Sequence, residues 1–139
     1  MGMRFDESTV EQAAKEWLAE IGFHTGYAPV DAAVEDVRES LGDCILWSHV
    51  AGALARLNPS ADPELVASAV ARIQRAESQD VMSENQRFHE LMVRGVPVET
   101  TGVDGRPTTV RLRLVDFDTP GNNDWRALNQ FTIIEAGHN

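Results

Sequence analysis

The stretch VPVETTGVDGRPTTVRLRL, Val96–Leu114, decides the fold class. Val96 and Val98, then Val110, Leu112 and Leu114, alternate with polar residues at the period of a strand with one buried face. Asp104–Gly105 between the two runs is a strong hairpin signal, because glycine reaches the positive φ of a tight turn without steric cost. Everything before Gly95 is patterned mostly for helices, so the hairpin makes this an α+β chain rather than a helical bundle.

Working back from the hairpin, Phe88, Leu91 and Met92 mark a helix over about 83–94 that stops at Gly95. Asp62–Pro63 reads as an N-cap followed by proline at the first helical position. Leu65, Val66, Ala69, Val70 and Ile73 continue that helix at regular spacing. Val50, Leu54 and Leu57 predict an earlier helix ending at Asn58–Pro59, where proline forbids continuation. Cys44–Trp47 is a short apolar run suited to a strand, and the acidic stretch Asp31–Glu39 after Pro29 suits a linker or weak helix. At the start, Ser8 and Glu11 have the spacing of a capping box for a helix over 9–21, closed by Gly22. Val10, Ala13, Ala14, Trp17, Leu18 and Ile21 supply its apolar positions, and Phe23–Tyr27 follows as an extended piece.

Working forward, Phe117–Asp124 is a turn-rich loop and Asn129–Glu135 reads as a last strand. The sequence thus predicts an N-terminal helix, a helical insert and a C-terminal three-stranded sheet segment, as one domain over residues 1–139.

Composition narrows the function classes. The 42% apolar fraction is ordinary for a globular chain, and no run approaches the roughly 20 apolar residues of a membrane-spanning helix. The net charge of −10 argues against autonomous nucleic-acid binding, which needs clustered Lys and Arg. The start MGMRFDESTVEQ lacks the features of a secretory signal, and the lone Cys44 forms no internal disulfide. A reducing, cytoplasmic setting is the expectation.

Asp116, Asp118 and Gly121 imitate the start of a calcium loop, but its fifth and twelfth places hold Pro120 and Ala127 instead of oxygen ligands, so turn capping is expected. His24, His49, His89 and His138 show no metal-ligand spacing, and the neighbours Ser48 and His49 point about 100° apart on a helix. Arg111 and Arg113 fall on one side of the hairpin; a solvated face beside Glu99 is the plainer reading, phosphate contact in a larger assembly the other. Trp17, Trp47 and Trp125 are expected in core or rim packing.

Four segments together carry a resemblance: ESTVEQAAKEWLAEIGF (Glu7–Phe23), LARLNP (Leu54–Pro59), NQRFHELMVRGVPVE (Asn85–Glu99) and VRLRLVDFDTPGNNDWRALNQFTIIE (Val110–Glu135). In that order, over nearly the whole chain, they resemble the N-terminal region of the restriction (R) subunit of type I restriction–modification enzymes. The block Asp116–Phe131 is the most specific. The resemblance implies a partial restriction-endonuclease-like core of the PD-(D/E)xK kind. It implies magnesium-dependent, ATP-driven cleavage of double-stranded DNA by the full subunit, with the methylation and specificity subunits as partners.

The same resemblance marks what these residues lack. The family's catalytic Asp follows the strand matching Phe131–Glu135, and its Glu-x-Lys lies on the next strand; neither is in this sequence. The only lysine, Lys15, stands in Ala-Lys-Glu on the first helix. The chain is therefore expected to be an N-terminal portion of the nuclease domain, inactive alone and holding neither magnesium nor ATP. Nucleases of this kind often bring a glutamate from the first helix near the metal, which points to Glu11 and secondarily Glu7; Glu135 is a further candidate to face the active site. The alternative is a stand-alone, non-enzymatic protein that docks to the restriction–modification complex.

Overall fold

The structure, a computed structural model, describes residues 6–31 and 40–134. It is a mixed α+β chain that divides into two compact units, one formed by residues 1–46 with 124–139, the other by Trp47–Asn123.

The second unit holds helices α3 (Trp47–Leu57), α4 (Pro63–Gln74) and α5 (Val81–Arg94) and the hairpin β2 (Val96–Thr101)–β3 (Pro107–Leu112). The hairpin forms as the alternation predicts: Val96 faces Leu112, Val98 faces Val110, and Gly105 takes φ +75° in the turn. One face of β2 is buried through Val96 and Val98. It closes a core with Leu54 of α3, Val66, Ala69 and Ile73 of α4, Leu91 of α5 and Leu112 of β3. Asp62 caps α4, accepting the Leu65 N–H at 2.8 Å ahead of Pro63. Gly95 ends α5 at φ +82°, and an added Cβ there would lie 2.8 Å from the Leu112 carbonyl oxygen, so both conformation and space require glycine. Asn58, just past α3, donates to the Leu54 and Arg113 carbonyls and accepts the Arg113 N–H, stitching that helix end to the chain after β3.

The expected strand at Cys44–Trp47 does not form. Trp47 instead opens α3, because Trp47, Val50 and Leu54 fall at i, i+3 and i+7 and pack together on the core, which a strand would not allow.

The first unit contains helix α1 (Glu7–Glu20), strand β1 (His24–Tyr27), the single turn α2 (Ala28–Asp31) and strand β4 (Arg126–Asn129). β1 and β4 pair in parallel, from His24 opposite Arg126 to Tyr27 opposite Asn129. The three-stranded C-terminal sheet expected from the sequence is thus replaced by two separate two-stranded sheets. The last strand is also displaced: it occupies Arg126–Asn129, Gln130 turns to φ +56°, and Phe131–Ile134 lies outside any strand. Backbone pairing to β1 fixes the strand there, outweighing the greater apolarity of the following residues.

Ala28 is the single buried hydrophobic residue of this unit among the described residues. Phe23 and Trp125 contact each other with ring centroids 6.0 Å apart. Of the apolar stripe expected to bury α1, Ala13, Ala14 and Leu18 are half-buried, whereas Val10, Trp17 and Ile21 are exposed. All of the acidic stretch after Asp31, residues 32–39, lies outside the described residues, as do Glu135 and His138.

Candidate functional site

The start of α1 decides what Glu11 is free to do. Asp6, not Ser8, is the N-cap: its Oδ1 accepts the Thr9 N–H at 2.9 Å and the Thr9 and Ser8 hydroxyls at 2.7 and 2.8 Å. These bonds, the Thr9 hydroxyl foremost, hold the Asp6 carboxyl below its ordinary pKa. The capping box between Ser8 and Glu11 is therefore replaced, because a carboxylate two residues earlier already satisfies the first turn.

Glu11 instead crosses to β4. Its Oε2 accepts from Asn129 Nδ2 at 2.9 Å, and its Oε1 accepts from Gln130 Nε2 at 2.6 Å. One turn later on α1, Lys15 Nζ donates to Asn129 Oδ1 at 3.3 Å. A carboxylate, the chain's one lysine ammonium and two amides thus meet at the carboxyl end of the parallel pair β1–β4. In α/β arrangements the carboxyl ends of parallel strands are where ligands bind, since loops and helix ends converge there. Glu7, the other candidate, is exposed in the first turn of α1 and makes none of these contacts.

The opposite end of the pair carries a second charged group. Asp124 accepts from His24 Nδ1 at 2.9 Å and from Arg126 Nε and Nη2 at 3.0 and 2.8 Å. Burial pushes the Asp124 carboxyl up, but the hydrogen bond from His24 and the Arg126 guanidinium outweigh it and leave the pKa lowered. Its donors fix Asp124 as the clamp that aligns the first residues of β1 and β4.

In the second unit, Arg94, Arg111 and Arg113 line a cavity of about 360 Å³ with Met92, Val93 and Phe117. Each has a partner: Arg94 pairs with Glu90 at 2.6 Å, Arg113 with Asp116 at 3.2 Å, and Arg111 donates to the Gly95 carbonyl at 3.4 Å. With two of the three charges neutralised nearby, the surface suits solvent better than a phosphate chain. Asp116 is buried and turn-forming. It accepts from the Asp118 and Thr119 N–H groups and from Asn122 Nδ2, so the calcium-like motif is a capped turn. Among the described residues, no group of three or more His, Cys, Asp or Glu is arranged to hold a metal.

With this geometry in place, likeness to known proteins becomes informative. The family model described as type I restriction enzyme R protein N terminus matches residues 4–139. The chain belongs to this family. It is 30% identical over 131 residues to the type I restriction enzyme HindI endonuclease subunit of Haemophilus influenzae. It is 25% identical over 128 residues to the "Putative type I restriction enzyme MjaIXP endonuclease subunit" of Methanocaldococcus jannaschii. In both cases the match covers 92% of this chain and 12% of the relative, so the R-protein region described here spans a small part of the length of those subunits. No solved structure matches it significantly.

Of the residues in this cluster, the sequence singled out Glu11 as a site candidate and noted Lys15 only as the one lysine; Asn129 and Gln130 were missed as their partners. Both lie in the Asn-Gln-Phe-Thr block that was most specific to the family, and a polar pair at the end of a strand was the available signal.

Proposed function

We propose that this region serves in the DNA-cleaving subunit of a type I restriction–modification system, where Glu11 is its residue closest to the cleavage chemistry. The observation that carries this reading is the Glu11 carboxylate held by two amides at the carboxyl end of β1–β4, on the helix where the family's resemblance places a metal-proximal glutamate. On this reading the substrate is double-stranded DNA, the partners are the methylation and specificity subunits, and ATP drives translocation before cutting.

Magnesium in such an enzyme would polarise the scissile phosphate and lower the pKa of the attacking water. The fit of the residues here to that ion is partial. Glu11 is a hard oxygen donor of the right chemistry. A single carboxylate is not a site, and the described residues assemble no larger donor set. No reaction step is assigned to these residues alone. Glu11 would add one carboxylate to a site whose Asp and Glu-x-Lys are supplied by the complete subunit, and Glu7, exposed and bonded to neither Asn129 nor Gln130, is not assigned that role.

The test is restriction in cells carrying the complete system. Glu11→Gln should raise the plating efficiency of unmodified phage about 10–100-fold, the usual cost of losing a metal-site partner, while host DNA stays modified. Glu7→Gln should restrict as the parent does. Equal restriction by the Glu11 variant and the parent would refute the assignment. The 139-residue polypeptide incubated with magnesium should leave plasmid DNA uncut.

A further inference from the structure

The proposed role of Glu11 leaves the residues that hold it without a function. Asn129 is bonded on both sides, giving Nδ2–H to the Glu11 carboxylate and offering Oδ1 to the Lys15 ammonium. An amide side chain suits both roles, because it carries a donor and an acceptor on one short planar group; Asp would repel Glu11, and an apolar residue would serve neither. Gln130 adds a second donor to the same carboxylate, and does so from φ +56°. A non-glycine residue in the left-handed region is held there at a steric cost, and such outliers cluster at sites whose geometry matters. Its 2.6 Å bond to Glu11 is the contact that this backbone turn makes possible.

We infer that Asn129 and Gln130 are positioning residues, which fix the orientation of the Glu11 carboxylate and, through Asn129, hold the Lys15 ammonium beside it. The function of this arrangement rests on the reading of Glu11 given above; the arrangement itself does not. Asn129 sets the distance between an anion and a cation one helical turn apart, so that both are presented to the same end of the sheet. Gln130 saturates the second carboxylate oxygen and prevents the side chain from rotating back toward the first turn of α1.

Lys15 makes this measurable on the 139-residue protein, because it is the one lysine. Its acylation by an amine-directed reagent, read at the peptide level by mass spectrometry, reports whether its ammonium is held. Asn129→Ala should raise the Lys15 acylation rate about fivefold, the equivalent of one lost hydrogen bond. Asn129→Asp should leave Lys15 protected, because the new carboxylate still accepts from the ammonium, although it loses the donor to Glu11 and sets two carboxylates against each other. The contrast between the Ala and Asp variants separates positioning of Lys15 from simple packing.

In the unsubstituted protein, the side-chain amide signals of Asn129 and Gln130 in nitrogen-15 spectra should lie away from solvent-exposed values and move on Glu11→Gln. Amide signals at solvent-exposed positions would overturn the inference even if every variant failed to fold. So would unchanged Lys15 reactivity in a folded Asn129→Ala protein, or a folded Asn129→Asp protein in which Lys15 reacts as fast as in Asn129→Ala. Failure of the phage test leaves these readouts intact, so the two claims can fail separately.

Discussion

At the scale of single residues, the structure rests on polar side chains that each satisfy several backbone groups. Asn58 makes three such bonds between the end of α3 and Arg113, at 2.7–2.8 Å. Asn58→Ala should cost about 1–3 kcal/mol in denaturant unfolding, because backbone donors and acceptors are left unsatisfied. Asp116 is the corresponding residue in the turn after β3. The hydrogen bond from Asn122 first, then the Thr119 N–H and the Arg113 charge, holds its carboxyl below the ordinary carboxylate pKa. A carboxyl with a depressed folded pKa contributes stability that is fully present above its unfolded value, near about 4, and is lost as pH falls through the lower folded value. Melting curves taken downward from neutral pH should therefore show a loss that begins below about pH 4, and Asp116→Asn should flatten that limb while lowering the neutral melting temperature. The residue scale was partly legible in the sequence. The Asp62 cap and the turn role of Asp116 followed from local spacing, whereas Asp6 displaced Ser8 because a carboxylate accepts from an N–H and two hydroxyls at once, which spacing alone does not reveal.

At the scale of elements, helices whose apolar residues meet a shared core were readable, and those whose partners come from far along the chain were not. α4, α5 and the β2–β3 hairpin follow from periodicity and from Gly95 and Gly105, since their contacts are close in sequence. β4 was misplaced because its partner, β1, lies about 100 residues earlier, and the apolar run after it gave the stronger local signal. The exposure of Val10, Trp17 and Ile21 on α1 has the same origin: the face that bonds to Asn129 carries Glu11 and Lys15 beside the half-buried Ala14 and Leu18. The second unit's core can be tested through Leu54, which is fully buried among α4, α5 and the hairpin. Leu54→Ala should destabilise by about 2–5 kcal/mol in equilibrium unfolding. A loss under 1 kcal/mol would mean that α3 does not pack on this core as described.

At the scale of the whole molecule, a chain of net charge −10 has two units of different character. Trp47–Asn123 encloses a core of its own, whereas the unit built on α1, β1 and β4 buries little beyond Ala28 among the described residues and concentrates its polar contacts at one end of a parallel pair. No helix among the described residues is long and apolar enough to cross a membrane. The central claim is that Glu11 belongs to the DNA-cleaving chemistry of a type I restriction enzyme, and one measurement tests it most directly. The complete subunit, assembled with its methylation and specificity partners, is given plasmid, ATP and magnesium, and cleavage and ATP hydrolysis are followed together. The account predicts that Glu11→Gln slows cleavage about 10–100-fold with ATP hydrolysis unchanged. Cleavage at the parent's rate, or a parallel loss of both activities, would contradict it.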